Sequence, residues 1–102
     1  MKVWLDDLRT MPSSYDLHAR TAQEAITALE TGEVTEISLD YELGTTETGG
    51  TVAAWIEQAA QQGTLARLIW RLHTSSPLGR RRMNHSMTNA DRYWDMREKT
   101  QE

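Results

Sequence analysis

The sequence predicts an α/β domain with a mostly parallel, four-stranded sheet. Short apolar runs alternate along the chain with segments of helical periodicity, and most of the runs stop abruptly at polar residues. Strands that alternate with helices favour a parallel sheet covered by helices on both faces, which is a three-layer sandwich. The chain has 102 residues, enough for one hydrophobic core, so we assign residues 1–102 to a single domain.

Two predicted strands open the chain. Lys2 to Leu5 is a short apolar run that stops at Asp6 and Asp7, as expected for a buried strand with two carboxylates at its end. The segment that follows contains Pro12 and is predicted to be a loop. Residues 16–20 can then form a second short strand.

A capping box begins the first predicted helix. The Thr21 hydroxyl can accept a hydrogen bond from the Glu24 amide while the Glu24 side chain reaches back, and Gly32 ends the helix. Residues 36–40 alternate between polar and apolar and form the third predicted strand, which finishes on Asp40.

The second half of the chain adds two helices and the fourth strand. After a flexible loop over residues 44–50, a helix with one apolar face stops at Gly63. Residues 65–72 are predicted to be the fourth strand, and we expect the chain to fray from Arg97 onward. Apolar residues at steps of four, three and four mark the last helix: Met83, Met87, Ala90 and Trp94.

Three of the four predicted strands end in polar side chains. In parallel sheets the ligand site lies outside the carboxyl ends of the strands, so Asp6, Asp7 and Asp40 should converge there. Three carboxylates that converge repel one another unless a cation lies between them, and hard oxygen ligands suit Mg²⁺ or Mn²⁺. The alternative is that these acids are only solvated ends of strands.

The fourth strand end offers an imidazole and two hydroxyl groups. His73 could act as a general acid or base, and Thr74 and Ser75 could bind phosphate oxygens. The alternative is that the segment only caps a helix whose first turn contains Pro77.

Arginines form a second candidate feature for an anion. If a helix begins near Pro77, Arg80 to Arg82 lie in its first turns, where the helix dipole disfavours cations and a bound anion would compensate. The alternative is a helix that begins near Asn84 or Asn89, with the arginines in a solvated loop. Arg9 could reach the same ligand or pair with an acid.

Composition and charge exclude several classes of function. The net charge is −4, and residues 1–60 hold eleven acids against three basic residues, which argues against binding of duplex nucleic acid. The absence of cysteine excludes a disulfide scaffold and a cysteine nucleophile. No apolar run has the length of a membrane span and the first residues do not form a secretory signal, so we expect a cytoplasmic protein without membrane partners.

The strand ends resemble those of receiver domains in two-component signalling, which have a flavodoxin-like fold. In that family the first Asp pair holds Mg²⁺, the third-strand Asp accepts a phosphoryl group, and a fifth-strand Lys completes the site. Here only Lys99 follows the fourth strand, so the sheet is a truncated version with four strands. An open outer edge on the fourth strand would allow a homodimer by edge pairing.

A narrower resemblance covers nearly the whole chain. Four segments are similar to the cyclic-phosphate processing receiver-like family: residues 4–12 (WLDDLRTMP), Arg20-Thr21, residues 38–44 (SLDYELG) and residues 73–80 (HTSSPLGR). That family is proposed to process or bind cyclic phosphate or nucleotide signals, often in conflicts between bacteria and phages. Family members tend to show His-Asp where this chain has Tyr41-Glu42, and Asn where it has Ser76.

The resemblance implies a metal-dependent phosphodiesterase that acts on a cyclic phosphate or cyclic nucleotide. It assigns Mg²⁺ or Mn²⁺ to Asp6, Asp7 and Asp40, catalysis to Asp40 and His73, and the phosphate charge to Arg9, Thr74, Ser75 and Arg80. Three alternatives stay open: a module that binds the same ligand without chemistry, a receiver phosphorylated on Asp40, and a structural protein–protein module.

Overall fold

The computed structural model describes residues 1–100 as one parallel sheet with three helices. Its elements are β1 (Lys2–Leu5), β2 (Leu17–Ala19), α1 (Ala22–Glu30), β3 (Glu36–Leu39), α2 (Gly49–Gln62), β4 (Ile69–Leu72) and α3 (Pro77–Thr100). The strand order is β2-β1-β3-β4 and every pair is parallel. The predicted α/β receiver-like fold with four strands is therefore confirmed.

All three helices lie on one face of the sheet. The connections β2–α1–β3 and β3–α2–β4 cross the sheet in the same direction, so right-handed crossovers put both helices on the same side, and α3 packs along α2. Val3, Ile37 and Trp70 are neighbours in register on this side, and the Trp70 indole N–H donates to Asp91 of α3 over 3.1 Å. The apolar core lies between the two layers and includes Leu5, Leu29, Leu39, Val52, Ile56, Met83, Met87 and Trp94.

The expected third layer is absent from residues 1–100. The connection from β1 to β2 is a loop with Pro12 and several turns, and it contains no crossover helix. No helix from this connection therefore covers the second face. Tyr15 of this loop lies on that face instead. Its ring meets the Trp4 ring edge-on at 5.4 Å between centroids, and its hydroxyl donates to Glu36 over 2.7 Å. The described part of the chain thus has two layers, with a loop across the second face.

Predicted cap residues mark the ends of the helices. Thr21 caps α1 and accepts from the Glu24 amide at 3.1 Å, while the Glu24 carboxylate accepts from the Arg20 amide at 2.9 Å. Gly63 follows α2 with φ of 77°, a left-handed conformation that favours glycine. Capping signals therefore located both helices correctly.

In the second half, α2 begins at Gly49, inside the predicted loop over residues 44–50, and the start of the fourth strand also differs from the prediction. The fourth strand begins at Ile69, because the buried side chains of Leu65 and Leu68 pack into the core from a segment without strand pairing. The last helix begins at Pro77, so the alternative with Arg80 to Arg82 in a loop before it is wrong.

Helix α3 extends past the residue from which fraying was predicted. Fraying was predicted from Arg97, but α3 continues to Thr100, and the Arg97 guanidinium donates to the carbonyl oxygens of Ala60 and Gln61 at 3.4 and 3.2 Å. Residues 101–102 lie outside the described part. Within residues 1–100, no helix combines the length and apolar character needed to cross a bilayer.

Candidate functional site

The carboxyl ends of β1, β3 and β4 surround a cavity of about 330 Å³. Register places Leu5, Leu39 and Leu72 side by side, so the residues that follow these strands meet at one edge of the sheet. The cavity is lined by Asp6, Asp7, Leu8, Arg9, Asp40, Glu42, Gly44, Thr74 and Ser75. The structure thus brings together six of the eight predicted site residues, and His73 lies directly beside them.

Asp6 is buried and fully engaged by hydrogen bonds. It is 1% exposed, its Oδ1 accepts from the amides of Leu8 and Arg9 at 2.8 Å each, and its Oδ2 is 3.0 Å from His73 Nε2. Burial raises the pKa of this carboxyl, but the two amides and His73 outweigh burial and leave the pKa below its ordinary value of 3.8. Asp6 is therefore ionised over the physiological pH range.

His73 is held on three sides. Its ring stacks on Trp4 with centroids 3.8 Å apart and planes 8° apart, and Ser38 Oγ lies 2.7 Å from Nδ1. A carboxylate only accepts hydrogen bonds, so Nε2 carries the hydrogen toward Asp6, and Nδ1 of the neutral ring accepts from the Ser38 hydroxyl. Burial lowers the pKa of His73, with Asp6 acting in the opposite direction, so the neutral ring is favoured.

Asp6, Asp40 and His73 form a group that could hold a metal ion. Each offers one ligand atom, and these atoms all lie within 4.8 Å of one another. Two carboxylates and one imidazole fit Mn²⁺ better than Mg²⁺, because nitrogen ligands favour the transition metals. Asp7 lines the cavity but is not a member of this group.

The predicted phosphate-binding residues divide into two sets. Thr74 and Ser75 line the cavity beside Arg9, whose guanidinium donates to the His73 carbonyl oxygen. Arg80 does not line the cavity, and its guanidinium donates to the Thr74 carbonyl at 3.0 Å.

The capping alternative is correct for part of the same segment. Thr74 Oγ1 accepts from the Ser76 amide at 3.2 Å, and Ser76 Oγ accepts from the Gly79 amide at 3.0 Å at the start of α3. The Ser75 side chain takes no part in these caps, and the Thr74 hydroxyl, whose oxygen accepts from Ser76, still has its own hydrogen to donate to a ligand.

Tyr41, at the position where the resembled family tends to show histidine, points away from the cavity. Its hydroxyl accepts from Arg82 at 3.0 Å, and its ring packs so closely on the first turn of α3 that a Cβ on Gly79 would lie 2.2 Å from Tyr41 Cγ. Tyr41 therefore belongs to the packing between β3 and α3.

Sequence reasoning gave no role to two residues that position His73. Ser38 is 2% exposed in the middle of an apolar strand, and Trp4 lies in the apolar run of β1. A buried polar residue between apolar neighbours is the signal that could have identified Ser38, since such groups need a hydrogen-bond partner. Trp4 offers no comparable signal.

Replacing Ser38 with alanine is expected to release the His73 ring and, in any reaction that the site catalyses, to lower the rate about tenfold, since groups that orient a site residue typically contribute at that scale. It removes the hydroxyl that donates to His73 Nδ1 and should cost about 1 kcal/mol of unfolding free energy. Initial rates and urea unfolding would measure both effects. Ser13→Ala, in an exposed loop, is the control, and an unchanged rate in Ser38→Ala would contradict the positioning role.

Acidification is expected to destabilise the fold through His73. Its folded pKa lies below the ordinary value of 6.5, so the unfolded chain binds more protons there, and stability is lost as pH falls below about 6.5. Asp6 acts in the same direction at lower pH, as pH falls below its ordinary value of 3.8. Urea unfolding across this range, compared with His73→Gln, would measure the effect; the same pH dependence in both proteins would contradict it.

The comparisons with known proteins gave one match, to a family model. Residues 1–89 match the model of a family described as the cyclic-phosphate processing receiver domain. This range includes every residue of the cavity and most of α3. Searches among curated proteins and among solved structures found no match.

Proposed function

Because the chain belongs to the family of cyclic-phosphate processing receiver domains, we propose that it hydrolyses a phosphodiester bond of a cyclic phosphate or cyclic nucleotide with the help of a divalent cation. The observation that carries this proposal is the group of Asp6, Asp40 and His73 at the edge of the cavity.

The cation would be held by Asp6 and Asp40. A divalent ion supplies Lewis acidity at the phosphoryl group and lowers the pKa of a bound water. Asp6 is suited to this role because two amides and His73 already hold its carboxylate ionised and in one orientation. Carboxylate oxygens suit Mn²⁺ and Mg²⁺ alike, and Mn²⁺ is tested first because electron paramagnetic resonance detects it.

His73 has a single nitrogen directed at the acids, so it can ligate the cation or move a proton, but not both at once. We assign it the proton, because Nε2 carries the hydrogen and Nδ1 can exchange hydrogen-bond roles with Ser38. Arg9 and the hydroxyls of Thr74 and Ser75 would stabilise the phosphate charge.

His73→Gln is expected to retain Mn²⁺ binding within a few-fold while losing turnover by about 100-fold or more, as for a general acid or base. Electron paramagnetic resonance measures the bound Mn²⁺, and chromatography measures the products. If His73→Gln loses the ion as well, His73 is a ligand and the proton must be moved by another group.

A binding module for the same ligand is the second candidate. The observation that favours it is the direction of Tyr41, which stands where the family tends to show histidine and does not line the cavity. This hypothesis predicts that each chain binds one ligand and that the ligand is recovered intact after the protein is denatured. Turnover that depends on Asp40 would exclude it.

Phosphorylation of Asp40 is less well supported. Among the described residues, no lysine lines the cavity, so the lysine ammonium group that completes a receiver site is missing from it. Failure of acetyl phosphate to label the protein would exclude this alternative.

Three wider predictions accompany the proposal. A homodimer could form through β4, which is at one edge of the sheet, and size-exclusion chromatography would test it. A cytoplasmic location and a role in conflict between bacteria and phages stay predictions from composition and family resemblance.

Incubation with a panel of cyclic mono- and dinucleotides, with Mn²⁺ or Mg²⁺, tests the proposed function. Linear products identify the substrate. Intact nucleotides retained by the protein favour the binding module. If the protein neither cleaves nor retains any nucleotide, the structural protein–protein module becomes the preferred hypothesis.

A further inference from the structure

An apolar side chain stands at the rim of the acidic cavity. Leu8 is 85% exposed, the highest value among the exposed large apolar side chains of residues 1–100, and it lines the cavity. Single exposed leucines are common and need no explanation. This one differs because its amide donates to Asp6 Oδ1 over 2.8 Å, so a proposed cation ligand fixes the position of Leu8 beside the site.

Two carboxylates of the cavity wall are free to accept hydrogen bonds. Asp7 and Glu42 line the cavity, and within the described residues neither side chain makes a hydrogen bond or an ion pair. Ionised carboxylates only accept. A ligand that fills the cavity should therefore present hydroxyl or amino groups to this wall.

The charge of the cavity limits the charge of the ligand. The lining holds four carboxylates and one guanidinium, from Asp6, Asp7, Asp40, Glu42 and Arg9, for a formal charge of −3. One divalent cation would leave a net charge of −1. A cyclic phosphodiester has one negative charge, whereas a linear phosphomonoester has about 1.5 to 2, so the cyclic form meets less repulsion.

The volume of the cavity limits the size of the ligand. At about 330 Å³ it lies near the lower end of the range for small-molecule sites, roughly 300–1,000 Å³. Among residues 1–100, no aromatic side chain lines it, so it offers a base no aromatic ring for stacking. These properties favour a ligand with one nucleoside over a cyclic dinucleotide.

We propose that the site takes a cyclic mononucleotide whose ribose packs against Leu8 and whose hydroxyl or amino groups donate to Asp7 and Glu42. This inference rests on the proposed function and adds the class of substrate and a residue that selects it. Leu8 acts by apolar contact and takes no part in holding the cation.

Leu8→Ser is the variant that tests the inference, with Leu8→Met as the conservative replacement. Leu78→Ser is the matched control, because Leu78 is an exposed leucine, 46% exposed, that does not line the cavity. The probes are Mn²⁺ alone and 2′,3′- and 3′,5′-cyclic mononucleotides. Affinity is measured by titration calorimetry at low temperature, which slows turnover, or as KM where turnover occurs.

Leu8→Ser should weaken cyclic mononucleotide binding about tenfold, since partial burial of a leucine contributes about 1.4 kcal/mol. The nucleotide affinities of Leu8→Met and Leu78→Ser should stay within about twofold of the wild-type value. The affinity for Mn²⁺ should be unchanged in all three variants. Equal nucleotide binding by Leu8→Ser and the wild type would overturn the inference and leave the proposed function standing. A wild-type protein that neither binds nor cleaves any cyclic phosphate would overturn both.

Discussion

Asp40→Asn is expected to reduce cation-dependent turnover by at least about 100-fold with little effect on the fold. Removing a direct ligand should cost more than removing a group around it, which typically costs 10–100-fold in metal affinity. The fold should survive because Asp40 Oδ1 accepts from the Tyr41 amide at 2.9 Å, and an amide oxygen can accept the same bond. Initial rates measure turnover, electron paramagnetic resonance measures bound Mn²⁺, and thermal melting measures the stability of the fold.

Glu30→Gln is the control for Asp40→Asn. It removes the same charge from an exposed position on α1 that does not line the cavity, so its rate should match that of the wild type. If Asp40→Asn keeps its rate within a few-fold, Asp40 is not a cation ligand in the reaction.

Gly49→Ala is expected to destabilise the protein by more than about 3 kcal/mol, at the upper end of overpacking effects. Gly49 is buried at the start of α2, and a Cβ there would lie 1.9 Å from the Asp40 carbonyl oxygen and 3.0 Å from Met83 Sδ. The clash is with backbone, so it must displace either α2 or the end of β3, where the site is located. Urea unfolding measures the loss.

Gly50→Ala separates this clash from the general effect of alanine in a helix. A Cβ on Gly50 would approach Thr48 Oγ1 and Tyr41 Cε1 no closer than 3.1 Å, so small shifts of side chains are enough. Its unfolding free energy should stay within about 1 kcal/mol of the wild type, because alanine favours helix by a similar amount. Equal stability of the two variants would contradict the close packing of Gly49.

The sequence predicted the fold through local signals with a direct physical cause. Caps such as Thr21 and Gly63 locate helix ends because they satisfy backbone groups or adopt a left-handed φ. The start of β4 was misplaced because Leu65 and Leu68 are apolar in either a strand or a buried loop, and periodicity does not distinguish the two.

The number of layers could not be predicted in the same way. Alternating strands and helices indicate a parallel sheet, but the number of helices on each face depends on the direction of every crossover. Pro12 identified the β1–β2 connection as a loop. The consequence is that Tyr15 and the charged neighbours of Glu36 cover the second face, and this could be found only from the register of the sheet.

The candidate site was predictable where it depends on strand ends and not where it depends on side-chain direction. Asp6, Asp40 and His73 meet because parallel strands present their carboxyl ends at one edge. The sequence could not indicate that Asp7 is outside this group, that Arg80 turns to the Thr74 carbonyl, or that Ser38 reaches across to His73. These depend on rotamers and packing between distant segments.

The proposed cleavage of a cyclic phosphodiester with a bound divalent cation can be followed at the phosphorus atom. ³¹P nuclear magnetic resonance of a cyclic mononucleotide with wild-type protein tests it most directly, because diester and monoester phosphorus give separate signals. We predict that the diester signal is replaced by a monoester signal when Mn²⁺ is present, and that chelation of the ion stops the conversion. An unchanged diester signal with Mn²⁺ bound, or cleavage that continues after chelation, would contradict the claim.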